Sequence, residues 1–129
     1  MNFSYHATTA KSVKEAVEKV KQILQVKGFG TLWELNIPEK LNEKGVIYNS
    51  GAIILEVCNP QRAKEALEAN KEAIYFLPCK IAVYEGDDQT VMGMVRPSMM
   101  MDFLNDEALR DFATEVEHVL IEAIDEAAL

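Results

Sequence analysis

Apolar and polar residues alternate at the start of the chain, where Phe3, Tyr5 and Ala7 interleave with Ser4, His6 and Thr8. A period of two predicts a half-buried strand. The period then lengthens. Val13, Ala16, Val17, Val20, Ile23 and Leu24 recur at helical spacing with Lys and Glu between them, the pattern of a helix with one apolar face. Ser12 and Glu15 form a capping-box pattern at its start, in which each side chain satisfies a backbone N–H near the other. Gly28 followed by Phe29 predicts a left-handed stop with an apolar residue folded back.

Thr31 to Ile37 reads as a second strand, and Pro38 to Lys44 as one or two helical turns stopped at Gly45. Ala52 to Val57 is an apolar run rich in branched residues, which predicts a central strand. Asn59 then stands as an N-cap with Pro60 at the first helical position, where the missing N–H costs little. That helix is short and runs to about Ala69. Ile81 to Glu85 predicts a strand whose start reaches back as far as Ile74 on the apolar pattern. Gly86-Asp87-Asp88-Gln89 is a turn, Thr90 to Arg96 returns as the second half of a hairpin, and Pro97 stops it. Leu109, Phe112, Ala113, Val116, Val119, Leu120, Ala123 and Ile124 keep helical spacing from about Asp106 to Ala127, with Asn105 or Asp106 as the cap. This order predicts a single α+β domain over residues 1–129, a two-layer fold with two long helices on one face of a sheet.

Composition narrows the function classes. Half the residues are apolar (49%) and a quarter charged (26%), as in a globular chain able to build a core without disulfides. The net charge of −8 argues against nucleic acid, whose phosphates need a basic face, and against anionic membranes. The longest uncharged stretch, Gly45 to Leu55, is far short of a membrane span. The first residues lack a basic region followed by an apolar run, so they do not read as a secretory signal. The expected compartment is the cytoplasm, where two cysteines stay reduced.

The candidate chemistry centres on those cysteines. Cys58 directly precedes the Asn59 cap, and a helix N-terminus stabilises a thiolate or a bound anion. The structural alternative is a small apolar residue filling a strand end. Cys79 follows Pro78 at a strand entry. Their spacing is neither a CxxC motif nor a zinc pattern. Topology decides their relation: parallel neighbouring strands separate them to opposite ends of the sheet, whereas antiparallel neighbours bring them to one end. The two histidines, His6 and His118, have no spacing that joins them to the cysteines in a four-ligand zinc site. Met92 and Met94 share a strand face, and Met99, Met100 and Met101 follow Pro97. Such thioethers join thiolates around Cu(I), line an apolar pocket, or fill a core or an oligomer interface. No phosphate-binding loop or nucleophile elbow is present. Asp87-Asp88, Glu115, and the cluster Glu122, Asp125 and Glu126 read as solvated, and Trp33 and Tyr84 as ordinary strand residues.

Cys58-Asn59-Pro60 with Ala63 and Leu67, then Leu77-Pro78-Cys79 with Val83 and Tyr84, resemble the domain-of-unknown-function family 302. Gly28-Phe29-Gly30, Glu34, Pro97 and Met100 add to the likeness. The family commonly has an acidic residue where this chain has Asn36, which leaves the role of that carboxylate open here. The resemblance implies a fold like that of the TATA-box-binding protein, a curved and mostly antiparallel sheet with two main helices on one side. It also implies a homodimer and the antiparallel placement of the cysteines, and it brings no reaction or cofactor. The expectation is a protein that binds a small-molecule or soft-metal ligand near Cys58 and Cys79, both of which would serve as metal ligands. The helix at Asn59 would supply positive potential, and Met94 and Met100 an apolar wall. A thiol-dependent redox or sulfur-transfer enzyme, and an interaction protein with purely structural cysteines, are the competing classes.

Overall fold

The computed structural model describes residues 2–129. Strand β1 (Ser4–Thr9) is followed by helix α1 (Val13–Val26), β2 (Gly30–Asn36), α2 (Ile37–Glu43), β3 (Ala52–Cys58) and α3 (Pro60–Ala69). A 3₁₀ segment (Lys71–Tyr75), the hairpin β4 (Cys79–Glu85) and β5 (Thr90–Val95), α4 (Pro97–Asp102) and α5 (Glu107–Ala128) complete the chain. The five strands form one open sheet in the order β1-β5-β4-β3-β2, and every neighbouring pair is antiparallel. The fold is a two-layer α+β arrangement of the kind the pattern implied. No helix of the described residues is long and apolar enough to cross a membrane.

Local signals set the main helix boundaries. Ser12 accepts from the Glu15 N–H at 3.1 Å, and the Glu15 carboxylate accepts from the Ser12 N–H at 3.3 Å. Gly28 has φ +90°, and the N–H of Phe29 donates back to the Leu24 carbonyl at 2.8 Å. This is the left-handed stop that Gly permits. The cap of α5 is Asp106, whose carboxylate accepts from the N–H groups of Ala108 and Leu109.

Two segments depart from the pattern. Ile74 lies in the 3₁₀ segment and not in a strand. The Asn70 side chain accepts from the Glu72 N–H at 3.0 Å, and this local turn overrides the apolar run that reads as extended. Pro97 ends β5 but also opens helix α4, because its fixed φ suits a first helical turn.

The alternation of the strands divides the sheet into two faces. One face packs Leu55, Val57, Ile81, Val83, Met92 and Met94 against Val17, Val20 and Leu24 of α1 and Val116, Leu120 and Ile124 of α5. A second cluster joins Ala66, Ala73, Met101, Leu109 and Ala113 under the lower end of the sheet. The acidic cluster of α5, expected to be solvated, is tied to the rest of the fold. Asp125 accepts from the Tyr5 hydroxyl, and Lys27 pairs with Glu122 at 3.4 Å and Glu126 at 3.1 Å. Glu115 likewise pairs with Arg62 at 2.8 Å. The other face of the sheet carries no helix pair, and there the candidate site lies.

Candidate functional site

Strands β3 and β4 are antiparallel neighbours, with Val57 directly opposite Cys79. The end of β3 and the start of β4 therefore share one end of the sheet. Cys58 and Cys79 both line a small crevice there with Phe29, Asn59, Leu77 and Phe112. Both cysteines are free thiols. The crevice holds only about 10 Å³, about the space of a single water.

Electrostatics at this end oppose a thiolate. Burial pushes the Cys58 thiol above its ordinary range. Burial pushes Cys79 up to about 11, and the neighbouring Cys58 adds to the rise. The Asn59 side chain already accepts from the Arg62 N–H at 3.2 Å, and the Arg62 guanidinium is paired with Glu115 and Glu65. Among the described residues no group of three or more His, Cys, Asp or Glu side chains stands where it could hold a metal ion. His118 is an exposed partner of Glu122 at 2.7 Å, and His6 lies on the far face of the sheet, opposite Gly93.

The methionines do not wall the cysteine crevice. Met94 is part of the main core and also borders the groove described next. Met101 fills the second core. Met100 lines a different feature on the opposite side of the sheet. The adjacent Met100 and Met101 thus serve different surfaces, as helical geometry requires of neighbouring positions.

That different feature is a groove of about 540 Å³ on the face away from α1 and α5, a size in the range of small-molecule sites. Sequence reasoning did not find it. Its floor crosses β1, β5 and β4 along the row His6–Gly93–Ala82. Gly93 and Ala82 are direct cross-strand partners. Two adjacent small residues leave a depression that larger neighbours, Tyr84 and Val95, surround. The walls come from the connections at the lower end of the sheet: Tyr75, Phe76, Leu77 and Pro78 before β4, and Met100 from α4. Gly93 is also required by packing, since a Cβ there would stand 3.0 Å from the His6 Cβ and 3.1 Å from the Tyr5 carbonyl oxygen. One row below, Glu56 of β3 and Lys80 of β4 are opposed across the strands and both line the groove. The signal was present in the sequence as small residues at outward positions of two paired strands, but only the register brings them together.

The family description "Domain of unknown function DUF302" matches residues 5–127. The chain belongs to the DUF302 family. It is similar to the crystal structure of an uncharacterized conserved protein DUF302 from Bacillus stearothermophilus, with 37% identity, complete coverage of both chains and a TM-score of 0.94. No curated protein matches. Asn36 caps α2 by accepting from the Glu39 N–H at 3.1 Å. Capping needs only a short side chain with an acceptor oxygen, which Asn and Asp supply equally.

Proposed function

We propose that this DUF302 protein binds a small organic ligand in the groove on the open face of the sheet. The observation that carries the reading is the contrast in space: about 540 Å³ over Ala82 and Gly93 against about 10 Å³ between the thiols. The aromatic and apolar walls with a few convergent polar groups are the usual composition of such a site. The thiols, Cys79 buried and Cys58 half-buried, then act as small packing residues at the sheet end, and thiol-dependent turnover is disfavoured by their raised pKa values. Two free cysteines suit a reducing compartment such as the cytoplasm.

A thermal-shift screen of small organic compounds tests this. Compounds that stabilise the wild type should lose their effect in Ala82→Phe, which fills the floor, and keep it in Cys58→Ser. Ligands lost in Cys58→Ser and retained in Ala82→Phe would return the site to the cysteines. A homodimer is a second reading, supported by Leu32 and Trp33, which are 63% and 52% exposed on the sheet-edge strand β2. Pairing through that edge leaves the groove over β1, β5 and β4 open.

A further inference from the structure

Resting on the groove reading, the chemistry of its lower end narrows the ligand. Glu56 and Lys80 are direct cross-strand partners on the open face. Side chains so placed start about 5 Å apart at Cβ. Among the described residues no ion pair joins them to each other or to any other residue. Elsewhere the surface does pair its charges, as Lys21 does with Glu34 at 2.8 Å. Glu56 is half-buried and Lys80 exposed.

A ligand that fills the groove takes water from both charges. A wholly apolar ligand would leave a carboxylate and an ammonium without partners, which is costly. A singly charged ligand satisfies one and strands the other. A simple anion also meets the long-range repulsion of a chain with net charge −8. We propose that the groove recognises a small zwitterion with an apolar body, of the class of an aromatic or large aliphatic α-amino acid. Its ammonium group meets Glu56, its carboxylate meets Lys80, and its side group lies over Ala82 and Gly93 against Tyr75 and Met100. The separation of amine and carboxylate on one carbon matches two charges on adjacent strands.

The single tryptophan reports on this site, because Trp33 is the cross-strand partner of Glu56 on β2. The full-length protein is titrated at millimolar concentrations with four probes that share one ring: phenylalanine, phenethylamine, 3-phenylpropionate and benzyl alcohol. Trp33 fluorescence and calorimetry are the readouts. Phenylalanine should bind about tenfold or more tightly than either singly charged probe. Glu56→Gln and Lys80→Met should each remove that preference, and neither should weaken the binding of benzyl alcohol, since each relieves the stranding of a charge. Equal or tighter binding of a singly charged or neutral probe, abolished in Ala82→Phe, would overturn the zwitterion class and leave the groove as a ligand site. Binding of none of the four probes, together with screening hits indifferent to Ala82→Phe, would remove both readings. Dissociation of a dimer by Ala82→Phe would likewise overturn them, since the face would then be covered by a second copy.

Discussion

Burial of Cys79 makes the fold sensitive to alkaline pH in a way that separates a packed thiol from a reactive one. The side chain faces α1 and α5 among Val57, Ile81 and Val116 and is only 6% exposed. Its pKa rises from 9.0 to about 11, chiefly through burial. Below the unfolded value both states hold the proton, so the protonated thiol's contribution is fully present. As pH rises from about 9 to about 11 the unfolded chain releases the proton and the folded protein retains it. Stability therefore falls with pH across this window and levels off above it. A displacement of two pH units corresponds to about 3 kcal/mol. Tyrosines and lysines titrate in the same range, so the quantity to measure is a difference. Urea unfolding of the wild type and of Cys79→Ala at successive pH values gives it directly. Cys79→Ala is less stable at neutral pH because it leaves a small cavity, and the gap should narrow or reverse by about 3 kcal/mol toward pH 11. A gap constant with pH would refute the burial argument. A gap that changes below pH 8 instead would mean a thiol pKa below the free value, and would restore a chemical role for this end of the sheet.

Two further substitutions test how the site's supports are held. Glu117 accepts from the Ser98 N–H at 3.0 Å, the Ser98 hydroxyl at 2.5 Å and Arg96 at 3.2 Å, fixing α4 to α5. Glu117→Ala should cost about 2 kcal/mol in chemical denaturation and weaken any groove ligand that touches Met100; a loss within error of zero would show that α4 is held by packing alone. Asn59→Ala removes the cap of α3 and should cost about 1 kcal/mol, with Asn59→Asp restoring most of it. Equal loss of stability in both variants would refute the cap as the source of the effect.

Much of the fold was legible because its signals are local. The period of Val13 to Leu24, the Ser12–Glu15 box, Gly28, and the Asn59-Pro60 start each fix a boundary through groups a few residues apart. The extension of β4 back to Ile74 failed because a local turn competed with an apolar run, and helix α4 went unread although Pro97 does end β5. Asn70 caps a 3₁₀ turn through Ile74, and Pro97 serves two elements at once. The cysteine motif located a real junction, since Cys58 and Cys79 do line one crevice. What sequence alone did not show is that burial raises both thiols and that the space between them is about that of one water.

The groove lay outside the reach of the sequence for a related reason. His6, Glu56, Lys80, Ala82 and Gly93 come from four strands spread over 88 residues, and no short-range pattern links them. The chain by itself determined which residues form helices and strands and which face of each is apolar, since propensity, capping and periodicity act over a few residues. Only the tertiary structure decided that β5 lies between β1 and β4. That order, with β3 on the other side of β4, sets His6 beside Gly93, Gly93 beside Ala82 and Glu56 beside Lys80, because cross-strand register is a property of the assembled sheet.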